Sequence, residues 1–130
     1  SFAAMVAEVS LEKGEPRVHR AVIAIDCGQV VNPDTVRAQL EGAVVFGLSA
    51  ALHSKFTFLN GATVEGNFDG HRILRLTETP VVEAHIVASH ETPGGVGEPG
   101  VPVVGPAVAN ALFAATGKRW RRMPFADGPA

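Results

Sequence analysis

The sequence has little cysteine, little charge and no long apolar run. Its single cysteine, Cys27, excludes an internal disulfide, a cysteine-ligated iron–sulfur cluster and a cysteine-rich zinc site built from this chain alone. One cysteine fits either redox environment, so the compartment stays open. No apolar stretch approaches the roughly 18 residues of a membrane span. Residues 1–6 lack an initiator methionine and a basic region, and predict a strand rather than a signal peptide.

The low charge predicts a chain whose surface is partly covered by something else. Only 18% of its 130 residues are charged, and 46% are hydrophobic, whereas a typical soluble domain carries about 25% charged residues. A part of a larger subunit, or an obligate oligomer, would have this composition. The net charge of −2 argues against partners such as nucleic acid or an anionic membrane. The short basic cluster at residues 118–122 is interpreted as a solvated or subunit-contacting segment.

The first part of the chain predicts a β-hairpin followed by a helix. Residues 2–10 and 18–25 are strand-like segments on either side of a turn at Gly14, and the second strand should be central and covered. Its alternation assigns Val18, Arg20, Val22 and Ala24 to one face, and His19, Ala21, Ile23 and Ile25 to the other. Asn32-Pro33-Asp34 supplies a cap, a first-turn proline and a favourable charge for a helix that should run to about Leu52.

The rest of the chain predicts three further strands and a second helix. Asn60-Gly61 lies between apolar segments at residues 55–59 and 62–65, which indicates a hairpin. Residues 81–88 alternate as a strand, and residues 106–116 form a helix that ends at Gly117. The expected fold is a single α+β domain over residues 1–130. Its order is β-β-α-β-β-β-α, and two main helices pack on a small mixed or antiparallel sheet.

One segment concentrates the candidate chemistry. Residues 92–100 hold four glycines and two prolines around a single carboxylate, Glu98. Glycine lets the backbone approach a ligand closely and proline stiffens its path, so a carboxylate held there would suit a positioned general base. A solvent-exposed loop glutamate with no special role is the alternative, since most loop residues are simply surface.

Other motifs are weaker. Residues 95–100 satisfy G-x-G-x-x-G, but Pro99 and Pro102 prevent a helix from starting at the glycines. The second strand with its acidic residue is also missing, so a dinucleotide site is disfavoured. The five histidines show no metal-ligand spacing, and no metal ligands are predicted. Gln39 borders the apolar stripe of the first helix, where it either lies at the rim or is buried and needs hydrogen-bonding partners.

Several ordered motifs together resemble a known family. These are residues 22–33 (VIAIDCGQVVNP), 39–48 (QLEGAVVFGL), Asn67-Phe68, 94–100 (GGVGEPG) and 107–111 (AVANA). In this order and spacing the sequence resembles the end of the molybdopterin-binding large subunit of the xanthine dehydrogenase and aldehyde oxidase family. Its branch typified by the isoquinoline 1-oxidoreductase β subunit is the most similar. The resemblance runs from Ser1 to about Phe125, and it implies that the chain is a C-terminal fragment of such a subunit.

The resemblance implies roles for particular residues. Glu98 matches the family's active-site glutamate, the base in hydroxylation of an aldehyde or N-heterocycle by water-derived oxygen. Gln39 matches a glutamine that contacts the pterin cofactor, and the backbone of Gly95, Val96 and Gly97 would lie close to the molybdenum. The cofactor would be molybdopterin, in bacterial relatives usually the cytosine dinucleotide form.

The resemblance also implies partners and limits. Electrons would leave through an iron–sulfur subunit, and the rest of the large subunit would supply the other cofactor-binding loops and the substrate channel. We therefore expect the isolated chain to be inactive, to bind no molybdopterin tightly and to be prone to self-association. A small-molecule substrate is implied but not identified. The alternative is a non-catalytic α+β assembly module that retains the fold and the loop.

Overall fold

The computed structural model describes residues 1–129. Its elements are β1 (Phe2–Glu12), β2 (Glu15–Asp26), α1 (Pro33–Leu52), β3 (Phe58–Leu59), β4 (Ala62–Thr63), β5 (Val81–Ile86) and α2 (Val104–Thr116), with short 3₁₀ turns at Leu76–Glu78 and Phe125–Asp127. This order confirms the predicted α+β fold class. The second helix begins two residues earlier than predicted, because the turn that follows Glu98 leads directly into it.

The main sheet has three strands in the order β1-β2-β5. β1 and β2 form an antiparallel hairpin around Lys13 and Gly14, which both have positive φ. β5 pairs with β2 in parallel, from Arg20 opposite Val81 to Ile25 opposite Ile86. The second strand is therefore central, as predicted, and the sheet is mixed.

The predicted faces of β2 are wrong at one residue. Val18 is buried together with Ala21, Ile23 and Ile25, although the alternation had placed it on the opposite face. The cause is a β-bulge: Glu8 pairs with Arg20 but Val9 pairs with Val18, so His19 is an extra residue. A bulge shifts the register by one and turns the preceding side chains to the other face.

Both helices pack on the buried face of the sheet. α1 contacts β5, α2 contacts β1, and the two helices touch each other. Their buried side chains join those of β2 in one apolar core that includes Ile23, Leu40, Leu48, Val104 and Leu112. Among residues 1–129 no polar or charged side chain is buried, so burial of apolar surface is the main source of this domain's stability.

Within residues 1–129, no helix or strand covers the opposite face of the sheet. Phe2 and Val6 of β1 are exposed on this face, and Val6 lies opposite the half-exposed Val22 of β2. Such an apolar surface matches the low charge of the sequence. No helix within residues 1–129 is both long and apolar enough to cross a membrane.

The second hairpin is present but much shorter than predicted. β3 and β4 have two residues each and enclose Asn60 and Gly61, both at positive φ. All four strand residues are exposed. With no buried face to hold them, the flanking residues of the predicted strands are not recruited into the ladder.

Candidate active-site loop

The loop that carries Glu98 connects the end of β5 to the start of α2. It begins beside β2, where the backbone N–H of Val87 donates to the carbonyl oxygen of Ile25 at 2.8 Å. It ends in a tight turn, in which the carbonyl oxygen of Glu98 accepts from the N–H of Val101 at 2.9 Å. Glu98 therefore lies just before α2, on backbone that is hydrogen-bonded on its C-terminal side.

The N-terminal half of the loop is attached to the turn that follows β2. Gln29 N–H donates to the carbonyl oxygen of Glu91, and Gly94 N–H donates to that of Cys27, both at 2.9 Å. The Ser1 hydroxyl also donates to the carbonyl oxygen of Gly95 at 2.7 Å. These bonds come from two separate parts of the chain, the turn after β2 and the N-terminal residue, so tertiary contacts fix the path of the loop.

The three residues predicted to approach a cofactor, Gly95, Val96 and Gly97, differ in their exposure to solvent. Val96 is partly buried and its side chain packs against the apolar core, whereas Gly95 and Gly97 are exposed. Apart from the adjacent residues, a Cβ atom added at either glycine would meet no atom of residues 1–129 within 4 Å. The Val96 side chain thus holds the loop against the core, and the backbone on each side of Val96 is exposed.

The loop reaches α1 at Gly100. This glycine is buried, and a Cβ atom placed there would lie 2.8 Å from the Cβ of Ala43 and 3.4 Å from a methyl carbon of Leu40. Gln39 precedes Leu40 on α1 and is exposed, so it is not among the buried residues of this helix. Glu98 precedes Gly100 by two residues and Gln39 precedes Leu40 by one, so both are close in sequence to the contact between Gly100 and α1.

The Glu98 side chain is exposed and belongs to none of the ion pairs formed within residues 1–129. No three His, Cys, Asp or Glu side chains in this part of the chain gather in a way that could hold a metal ion. The predicted site residues that the structure describes are thus one exposed carboxylate, Glu98, one exposed amide, Gln39, and the open backbone of Gly95 and Gly97.

A large groove lies elsewhere, along the outer face of α1. It has a volume of about 1010 Å³ and includes Val45, Phe46, Ile73 and Val82 in its lining. His71 also borders it and stacks on Phe56 with a ring-centroid distance of 4.8 Å. Sequence reasoning missed this groove, because residues 66–75 have no regular pattern that would place them against a helix.

Comparison with known proteins identifies the domain. Residues 1–80 match the sequence model of a family described as "Molybdopterin cofactor-binding domain". The chain belongs to this family. The match includes Gln39 and ends before the Glu98 loop, and it confirms the family resemblance found in the sequence.

The relatives are much longer proteins. The chain is 41% identical over 121 residues to the membrane-bound aldehyde dehydrogenase [pyrroloquinoline-quinone] of Gluconacetobacter polyoxogenes, which covers 92% of the chain and 16% of that protein. It is 35% identical to the isoquinoline 1-oxidoreductase subunit beta of Brevundimonas diminuta, over 94% of the chain and 16% of the relative. The chain thus spans about one sixth of the length of these relatives.

A solved structure shares the fold. The aldehyde oxidoreductase from Desulfovibrio desulfuricans superposes with a TM-score of 0.76 at 25% identity, over 91% of this chain and 14% of that one. The superposition covers almost the whole α+β domain, so the fold of this molybdopterin-binding domain also occurs as a small part of a much larger chain.

Proposed function

We propose that this chain forms one wall of the active site of a molybdenum hydroxylase, with Glu98 as the catalytic base. In this proposal the chain is the C-terminal part of the large subunit. The remaining residues of that subunit supply the other walls, and an iron–sulfur subunit takes the electrons. The observation that carries the proposal is that Glu98, the single carboxylate of residues 92–100, lies on a loop that is hydrogen-bonded to β2 and packed on α1, in a chain of the molybdopterin-binding family.

The residues of the wall fit a pterin cofactor. Gln39 presents a side-chain amide that can both donate and accept hydrogen bonds, and Gly95 and Gly97 leave space where side chains would otherwise lie. The metal would be held by the cofactor's own ligands, because the described residues contain no cluster that could bind it. We extend the proposal to the cytosine dinucleotide form from the resemblance to bacterial members of the family.

One relative's name includes pyrroloquinoline quinone. We nevertheless favour molybdopterin, because the molybdopterin-domain match lies on residues 1–80 of this chain itself. The quinone in the name, by contrast, is a statement about a whole protein of which this chain covers 16%.

Glu98 would move the proton in the proposed reaction. An aldehyde or N-heterocycle gains one oxygen from water and releases two electrons and two protons. The bound cofactor supplies the two-electron oxidation. The Glu98 carboxylate would accept a proton from the water-derived oxygen as that oxygen bonds to the substrate carbon. A base must be held within hydrogen-bonding reach of the proton it removes, and the attachments of the loop provide that restraint.

The test is Glu98→Gln in the complete large subunit with its iron–sulfur partner. We expect the molybdenum content to be retained, because the side chain is exposed and has no ion-pair partner within residues 1–129. We expect turnover of benzaldehyde or isoquinoline to fall by at least about 10²- to 10⁴-fold, the usual contribution of a general base. Glu91→Gln is the matched control, because Glu91 is an exposed carboxylate of the same loop.

Turnover of the Glu98 variant within a few fold of wild type would reject the catalytic role. It would favour the second candidate, a non-catalytic α+β assembly module. The exposure of Glu98 and the open sheet face with Phe2 and Val6 fit that alternative as well. The activity of the variant therefore decides between the two.

A further inference from the structure

The turn after β2 and the N-terminal half of the Glu98 loop fit together without room for a side chain. Gly28 lies in this turn at φ +72°, and a Cβ atom there would collide with the carbonyl oxygen of Thr92 and lie 2.8 Å from that of Glu91. Both are backbone atoms of the loop, so a larger residue at position 28 has to displace the loop itself. The hydrogen bonds on either side, from Gln29 and Gly94, fix the same segment.

Asp26 holds this turn in place. One carboxylate oxygen of Asp26 accepts a hydrogen bond from the backbone N–H of Gly28 at 3.1 Å. Asp26 is the last residue of β2 and is partly buried. The end of the central strand therefore stabilises the conformation of the turn, and the turn holds the N-terminal half of the loop by hydrogen bonds.

Gly100 plays the corresponding part at the C-terminal half of the loop. Its backbone lies against Ala43 of α1, and a Cβ atom there would also come within 3.5 Å of a side-chain carbon of Ile23. Glu98 is four residues beyond Gly94 and two residues before Gly100. Glu98 thus lies in the short segment between Gly94, which is hydrogen-bonded to the turn after β2, and Gly100, which packs on α1.

We propose that Gly28 and Gly100 are positioning residues for Glu98. By lacking a side chain they let the loop seat against the β2 turn at one end and against α1 at the other, and this seating places the carboxylate relative to the substrate. The inference rests on the proposed function of Glu98. Misplacement of a catalytic group by about 1 Å can cost about 10²-fold in rate, so a shift forced by one methyl group is large enough to measure.

The experiment compares Gly28→Ala with Gly61→Ala in the complete enzyme. Gly61 has a similar backbone conformation, φ +81°, but an added Cβ there meets nothing within 4 Å. Both variants bear the same strain of alanine in the left-handed region, and only Gly28→Ala pushes on the loop. Peptide-level hydrogen exchange over residues 87–100, the unfolding midpoint, and kcat and KM for benzaldehyde are measured on both.

We expect Gly28→Ala to raise hydrogen exchange over residues 87–100 by about tenfold or more. We also expect it to lower kcat by about 10²-fold with KM changed less than threefold, whereas Gly61→Ala does neither. Gly100→Ala should repeat the kcat loss. Unchanged exchange in Gly28→Ala would overturn the proposal whatever the activity. Raised exchange with unchanged kcat would also overturn it, while a normal effect of Glu98→Gln would leave the proposed function standing.

A milder pair of variants covers the case in which Gly28→Ala does not fold. Asp26→Ala removes the acceptor for the Gly28 N–H, and Asp26→Asn keeps an oxygen in that position. We expect faster exchange over residues 87–100 and lower kcat in the alanine variant, with both restored to within about threefold of wild type in the asparagine variant. Failure of asparagine to rescue, or an alanine variant with wild-type exchange, would contradict a positioning role.

Discussion

Single residues in the Glu98 loop differ sharply in what surrounds them. Val96 packs into the core and Gly100 is buried on α1, whereas Gly95 and Gly97 face open space. The four glycines of residues 94–100 look equivalent in the sequence. Their neighbours separate them. A Cβ at Gly100 would meet α1 and one at Gly94 would lie 2.5 Å from the Ser1 hydroxyl oxygen, whereas Gly95 and Gly97 have open space that only a bound ligand would require.

Gly97→Ala tests this distinction. Among residues 1–129, only the adjacent residues come within 4 Å of the added Cβ, and φ is not in the left-handed region. We therefore expect the free energy of unfolding to stay the same or rise by up to about 1 kcal/mol. We expect overlap with the cofactor to cost about 1–3 kcal/mol, which corresponds to roughly tenfold or more in affinity. Molybdenum content by mass spectrometry and urea unfolding measure the two effects.

Gly66→Ala is the control for this prediction, since Gly66 also has open space around it and lies outside the loop. Retention of wild-type molybdenum content by Gly97→Ala would mean that the cofactor does not approach this backbone.

At the scale of elements, α1 connects the core to the candidate site. Its N-terminus is capped by Asn32, whose side-chain oxygen accepts from the N–H groups of Asp34 and Thr35 at 3.0 and 3.1 Å. Its buried face packs in the core, and Gly47 allows close approach of α2: a Cβ there would lie 2.7 Å from a methyl carbon of Val104. The position of α2 relative to α1 therefore depends on this glycine.

Gly47→Ala should destabilise the protein by about 1–3 kcal/mol, the usual cost of overpacking. Gly42→Ala, five residues earlier on the same helix, adds a Cβ to open space and should stabilise by up to about 1 kcal/mol, because alanine has the higher helix propensity. Urea unfolding of both variants provides the comparison. Equal stabilities would show that α2 moves away from α1 without cost.

At the scale of the whole molecule, charged pairs join distant parts of the chain on its surface. Arg20 of β2 and Glu83 of β5 form a two-bond ion pair, and the Arg20 guanidinium lowers the pKa of Glu83. A hydrogen bond from the backbone N–H of Arg75 lowers the pKa of Glu78, and the Arg72 guanidinium adds to the effect. Partial burial, and then the charge of Arg72, lower the pKa of His53 despite Glu78 and Glu15 nearby.

These shifts predict that the protein loses stability in acid. A folded-state pKa below the unfolded value means that the unfolded chain binds protons more readily in that range. The contribution of His53 is therefore complete above its ordinary pKa of 6.5 and is lost as the pH falls through the lower folded value. The contributions of Glu78 and Glu83 are lost in the same way below their ordinary value of 4.5.

Urea unfolding at pH 7.5, 5.5 and 4.0 checks this prediction. We expect the free energy of unfolding to fall at each step, and His53→Gln to flatten the change between the first two pH values. His90→Gln, at an exposed loop histidine, is the matched control. A protein whose stability rises on acidification from pH 7.5 to 5.5 would contradict the assignment.

The sequence by itself determined the features that depend on neighbours in the chain. The Asn32 cap, the Asn60-Gly61 turn and the helix end at Gly117, where φ is +71°, follow from local backbone preferences. The family followed from the order and spacing of several motifs. Glu98 was singled out from the sequence as a single carboxylate among glycines and prolines, and its catalytic role stays a prediction.

Only the tertiary structure decided how distant segments meet. The bulge at His19 depends on how β2 registers with β1, and it reversed the predicted face of Val18. The parallel pairing of β2 with β5 brings the Glu98 loop beside the turn at Gly28. The need for glycine at position 28 comes from backbone atoms more than sixty residues further along the chain, at Glu91 and Thr92. No local sequence pattern predicts this contact, because the room available to a side chain depends on how distant segments pack together.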